Sequence, residues 1–122
     1  MSAIEVGGHY LCAGASGFDP VRIWVGHIDQ VEGAGEVASV TLKGDGAGLR
    51  SLPHVAFQLA ALLASAPEPV DGFPKNSTAF DEGYAAWRKT LDTGSADYMT
   101  ISPSEAYGRA MNQISEGARH DF

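Results

Sequence analysis

The spacing of apolar residues predicts three strands in the first third of the chain. A short apolar run covers His9–Ala13, and a longer run, Val21–Val31, is rich in β-branched residues. Val37–Lys43 alternates between apolar and polar positions, and the connector before it holds two glycines, which accept positive φ freely and suit a hairpin. We therefore expect an N-terminal antiparallel β-meander, with a curled, barrel-like sheet as an open alternative.

Three helices are predicted after the meander. The first begins near Pro53 and carries apolar side chains on nearly all sides, so it should be mostly buried. The second begins at Thr78 and ends at Gly94, because aromatic and leucine side chains recur between them at helical spacing. The third follows Ser102, whose side chain is the predicted cap, and ends at Gly117.

One further strand is predicted near residues 96–101, where apolar and polar positions alternate between two helices. Strands thus come first and helices later, which favours an α+β fold over a doubly wound α/β sheet. A length of 122 residues suits one core, so residues 1–122 are expected to form a single compact domain.

Composition and charge exclude several classes of partner. Fifteen acidic residues against eight Lys and Arg give a formal net charge of -7, and the basic residues form no cluster, so we expect no nucleic-acid partner. The first residues lack the basic and apolar regions of a secretory signal, and no apolar run is long enough to span a bilayer. We therefore expect no membrane association and a cytoplasmic location.

The residues around each candidate cofactor- or metal-binding motif do not fit such a site. The turn with Gly14 and Gly17 begins like a phosphate-binding loop, but Asp19, Pro20 and a β-branched strand follow it where such a loop must open a helix. The single cysteine, Cys12, forms neither an internal disulfide nor a multi-cysteine zinc site. No histidine pair has metal-binding spacing, so neither a cofactor nor a metal is expected.

Four residues are the candidates for binding a partner or ligand: Arg22, Trp24, His27 and His54. Trp24 is predicted on the strand face opposite the valines, with Arg22 and Ile28 beside it. An exposed Trp next to an Arg would form a recognition surface. The alternatives are that helices cover both faces of the sheet, or that a curled sheet packs Trp24 at its edge.

Two functions remain open from the sequence. The lack of a catalytic constellation favours a small, soluble, acidic, non-enzymatic binding or accessory protein, which forms a homodimer or binds a protein partner or small molecule. The alternative is a small enzyme with a pocket between sheet and helix. There His54, near a helix N-terminus, is the base, and Asp29 or Tyr98 is its partner. A concave pocket at His54 would favour the enzyme, and an exposed apolar patch would favour the binding protein.

Overall fold

An open antiparallel sheet of five strands forms the centre of the fold. The strands are β1 (His9–Cys12), β2 (Val21–Val31), β3 (Gly35–Gly44), β4 (Ser51–Gln58) and β5 (Glu68–Pro69). This computed structural model describes residues 4–15, 17–44, 51–71 and 77–119. The strand order is β4-β3-β2-β1-β5, and each neighbouring pair is antiparallel. The predicted meander is thus confirmed, and the sheet does not close into a barrel.

Helices pack on both faces of the sheet, because strands β2, β3 and β4 carry apolar side chains on both. The helices are α1 (Leu59–Ala64), α2 (Thr78–Asp92) and α3 (Pro103–Arg119). One core cluster joins Ile23, Val40 and Phe57 of the sheet to side chains of α1 and α3. A second cluster joins Val37 to α2. The α+β class is confirmed. Within the described ranges, no helix is long and apolar enough to cross a membrane.

The hairpin between β2 and β3 forms where the glycine-rich connector predicts it. The Ala34 amide donates to the Val31 carbonyl at 3.0 Å. Gly33 and Gly35 have φ values of 85° and 79°, a region that costs other residues about 1 kcal/mol or more. These glycines therefore fix the tight turn that sets the register of the two long strands.

The helix predicted near Pro53 is wrong, since Ser51–Gln58 is a strand and only Leu59–Ala64 is helical. Helices pack on both faces of β4, and its polar residues His54 and Gln58 do not alternate regularly with the apolar ones, so the period-two pattern by which a strand is recognised is weak. Pro53 lies on this edge strand at an irregularity in the β3–β4 register. The Thr41 hydroxyl donates to its carbonyl oxygen at 2.9 Å.

The strand predicted near residues 96–101 is present only as one bridge to β4. Met99 bridges Phe57 in parallel. Its amide donates to Ala56 O at 2.7 Å, and its carbonyl accepts from Gln58 N at 2.9 Å. The Asp97 carbonyl is held instead by the indole N–H of Trp87, at 2.7 Å. This segment therefore covers only the outer edge of β4 near its end.

The helix ends follow their predicted capping residues with small shifts. Ser77, one residue before the predicted start, caps α2 by accepting from the Phe80 amide at 3.1 Å. The predicted cap of α3 is confirmed, since Ser102 Oγ accepts from the Glu105 amide at 3.1 Å. The predicted stop at Gly117 is wrong, because α3 runs to Arg119. Residues 45–50, which connect β3 to β4, lie outside the described residues.

Candidate functional site under the second helix

Helix α2 presents an aromatic stripe to the sheet. Phe80, Tyr84 and Trp87 recur at helical spacing, so they share one face of α2. Phe80 and Trp87 are buried, and Tyr84 is half-buried. Their rings pack against the sheet face that carries three of the four candidate residues, namely Trp24, His27 and His54.

Of the alternatives that the sequence leaves open for Trp24, the exposed one is wrong. Its side chain is only 7% exposed. The Phe80 ring meets it edge to face, with centroids 5.2 Å apart and an interplanar angle of 79°, a favourable geometry for aromatic pairs. The alternative, in which helices cover both faces of the sheet, is the one the structure adopts. Trp24 is therefore a packing residue beneath α2.

A β-bulge at Gly26 explains which side chains join Trp24 on this face. The register of β2 against β3 shifts between Val25 and His27, so the alternation of faces changes there. His27 consequently lies on the α2 face, whereas Ile28 packs against the opposite core cluster. The predicted grouping of Ile28 with Trp24 is wrong because simple alternation takes no account of the bulge.

His27 and Tyr84 form a stacked pair at the margin of the cluster. Their ring centroids are 3.8 Å apart and nearly parallel, at 9°. The Tyr84 hydroxyl donates to Asp29 Oδ2 at 2.9 Å. Burial, together with the hydrogen bond and the charge of Asp29, raises the pKa of Tyr84 to about 12. Tyr84 thus stays protonated at neutral pH and acts as a donor that fixes Asp29.

His54 lies inside the same layer, on β4 rather than at a helix N-terminus. Its Nε2 is 3.0 Å from the hydroxyl oxygen of Ser39, a side chain with no exposed surface. Gly83 of α2 passes so close that an added Cβ would lie 2.7 Å from the His54 Cβ. Burial, and secondly the nearby His27, lower the pKa of His54 below its ordinary value.

This lowered pKa makes stability depend on pH in a defined direction. The unfolded chain binds a proton at His54 more readily than the folded chain, so unfolding becomes easier as pH falls below about 6.5. The loss cannot exceed about 1.4 kcal/mol per pH unit for one proton. We expect His54→Gln to flatten the dependence between about pH 7 and 5, as measured by urea unfolding at fixed pH values.

His27→Gln is the matched control for that experiment. His27 is the secondary cause of the lowered pKa of His54, so its removal should flatten the curve less than His54→Gln does. An unchanged slope in His54→Gln would contradict the assignment of the pH dependence to His54.

Arg22 does not join this cluster. Its side chain is half-buried on β2, and Nη1 donates to the Asp71 carbonyl at 3.3 Å. Arg22 therefore ties β2 to the segment after β5, away from the rings of α2. The structure brings together Trp24, His27 and His54 and leaves Arg22 apart.

Ser39 and Tyr84 are the members of the site that the sequence reading missed. Ser39 stands in an alternating strand, where a serine is read as a polar-face residue, and its burial depends on α2 lying above it. The partners predicted for His54 have other contacts. Asp29 accepts from Tyr84, and Tyr98 packs against the cluster of Trp87. The signal available in the sequence was the helical spacing of Tyr84 with Phe80 and Trp87.

His54 does not line any of three cavities that described residues form. The first, of about 450 Å³, lies between α3 and the turn at Phe18. The second, of about 190 Å³, lies beside α1. The third, of about 550 Å³, lies between the β2–β3 hairpin and the end of α2. In the described part of the chain, no group of three or more His, Cys, Asp or Glu residues is arranged to hold a metal ion.

The glycine-rich turn after β1 is held by α3. Ser104 Oγ accepts from the Ala15 amide at 3.2 Å and donates to the Asp19 carbonyl at 2.8 Å. A phosphate-binding loop needs free amides and a helix directly after it, whereas here the Ala15 amide is occupied and β2 follows. The turn therefore serves to join β1 and β2 to α3.

No protein-family model, no curated protein and no solved structure matches this chain.

Proposed function

We propose that this chain is a non-enzymatic binding protein that acts by self-association. The observation that carries the proposal is helix α1, whose sequence LAALLA contains no polar residue. Three of its side chains, Ala60, Leu63 and Ala64, are exposed although they are apolar. A helix face that remains in water is ordinarily polar. A partner that covers this face would remove its apolar side chains from water.

The packing of the candidate site supports a structural role for its polar groups. The His54 imidazole is bonded to the fully buried hydroxyl of Ser39, and the Tyr84 hydroxyl is bonded to Asp29. The Tyr84–Asp29 bond ties α2 to β2, and the His54–Ser39 bond joins β4 to β3 beneath α2. A substrate would therefore have to displace α2 to reach Ser39. The net charge of -7 supports a partner other than nucleic acid.

Sedimentation velocity of the wild-type chain tests the proposal. We expect a mass that rises from monomer toward dimer between about 10 µM and about 500 µM, because a small apolar contact gives weak affinity. A monomer across this whole range would contradict self-association.

A second candidate function, an enzyme with His54 as its base, is favoured by one observation, the 3.0 Å contact between His54 Nε2 and Ser39 Oγ. A serine activated by histidine is a known nucleophile arrangement, but the hydroxyl of Ser39 has no access to solvent. A screen of wild type against Ser39→Ala for ester hydrolysis separates the two functions. Activity that Ser39→Ala removes would support the enzyme.

A further inference from the structure

Helix α2 packs against a small core cluster of its own. The larger cluster joins the sheet to α1 and α3, and none of the described residues of α2 belongs to it. The smaller cluster joins Trp87 of α2 to Val37 and Ala56 of the sheet. Proteins open locally in cooperative units, and this division favours an opening of α2 that leaves the larger cluster closed.

His54 lies where α2 closes over the sheet. The ring centroids of Phe80, Tyr84 and Trp87 are 5.6, 6.1 and 6.2 Å from that of His54. The α2 backbone at Gly83 lies over the same side chain, since a Cβ added there would be 3.3 Å from His54 Cγ. Helix α2 thus covers the imidazole, and its departure would return the imidazole to water.

A proton on His54 meets no opposite charge in this layer. β3 supplies the neutral hydroxyl of Ser39, 3.0 Å from Nε2. β2 supplies His27, which carries the same charge when protonated and lies close enough to lower the pKa of His54. The carboxylate of Asp29 accepts from the Tyr84 hydroxyl. Among the described residues, no carboxylate is bonded to the His54 ring.

The charged residues of α2 supply no counter-charge to His54. Helical spacing places Glu82 and Lys89 on the side opposite the aromatic stripe, and Asp81, Arg88 and Asp92 along one flank. The guanidinium of Arg88 and the carboxylate of Asp92 pair with each other at 3.9 Å. A protonated imidazole is therefore neither paired nor fully hydrated while α2 is closed.

We propose that acid loosens α2, because proton uptake at His54 favours a state in which α2 has left the sheet and the larger core cluster is intact. The open state holds the proton more firmly, since its imidazole is in water. One proton changes the opening equilibrium by at most about tenfold per pH unit. Acid therefore makes opening more frequent and exposes the aromatic stripe without loss of the fold. This inference does not depend on self-association.

Hydrogen exchange followed by mass spectrometry, at pH 7 and at pH 5, tests the proposal. Low protein concentration keeps self-association from adding protection. After correction for the intrinsic exchange rate at each pH, α2 should be at least about tenfold less protected than β2 and β3. From pH 7 to pH 5, the protection of α2 should fall at least about threefold. His54→Gln should remove this fall, and the matched control His27→Gln should reduce it only in part.

Each part of the proposal has its own contradicting result. Equal protection of α2 and of the strands would show that α2 opens only when the whole chain unfolds. A fall as large in His54→Gln as in wild type would show that the proton is bound elsewhere. If His54→Gln does not fold, His27→Gln decides this point, because a fall that it leaves unchanged contradicts the assignment. Sedimentation bears only on self-association, so the two proposals fail separately.

Discussion

Phe80→Ala should reduce the free energy of unfolding by about 3–5 kcal/mol, the range for removing a buried aromatic ring. Phe80 is 1% exposed and lies between the rings of Trp24 and His54. Its removal leaves a cavity between α2 and the sheet, and the indole of Trp24 loses its edge contact. We therefore expect lower stability together with a red shift of tryptophan emission.

Urea unfolding followed by far-UV circular dichroism measures this loss. The experiment is run at low protein concentration, so that self-association does not add to the stability. Phe80→Leu is the matched control, because it keeps most of the apolar volume and should lose clearly less. Equal losses of unfolding free energy in Phe80→Ala and Phe80→Leu would contradict the central position of the Phe80 ring.

Gly26→Val should be destabilising by about 1–3 kcal/mol, because it inserts carbon atoms into a filled layer. An added Cβ at Gly26 would overlap the Phe80 ring and approach Trp24 Cζ3 to 2.9 Å. Both rings are buried, so neither can turn outward without exposing apolar surface. The absence of a side chain at Gly26 is therefore what lets Phe80 pack on β2.

The double variant Gly26→Val with Phe80→Ala tests whether the two positions are in direct contact or whether each substitution destabilises the protein independently. Valine at position 26 would occupy part of the space that the lost ring leaves. We therefore expect the double variant to be more stable than the sum of the two losses predicts, by about 0.5–3 kcal/mol. Strict additivity in urea unfolding would contradict direct contact between the two positions.

The elements that carry apolar residues on one side only, or that begin at a strong capping residue, could be predicted from the sequence. The helical spacing of Phe80, Tyr84 and Trp87 locates α2, and Ser102 locates the start of α3. β4 could not be predicted, because helices pack on both of its faces and its polar residues, His54 and Gln58, do not alternate regularly with the apolar ones. The apolar run Val55–Phe57 fits a buried strand and a buried helix equally well.

The candidate site could be predicted only in part, for a similar reason. Trp24, His27 and His54 were selected by residue type, and the structure does bring them together. Their exposure and partners depend on tertiary contacts. The bulge at Gly26 changes the face of His27, and α2 covers Trp24. Neither effect follows from the periodicity of a single strand.

Disulfide trapping with Ala64→Cys tests the central claim, self-association through α1, most directly. In the proposed self-association, the exposed apolar faces of two α1 helices, which carry Ala60, Leu63 and Ala64, lie against each other, so thiols introduced at Ala64 come close together. The native Cys12 is buried and should not compete. Val6→Cys, at an exposed position outside α1, is the control for random collision.

Under mild oxidation at a concentration where wild type associates, we expect Ala64→Cys to form a covalent dimer at least about tenfold faster than Val6→Cys, because the thiols are held at bonding distance. Non-reducing electrophoresis over time measures both rates. Equal rates, or faster linkage through Val6→Cys, would contradict the account.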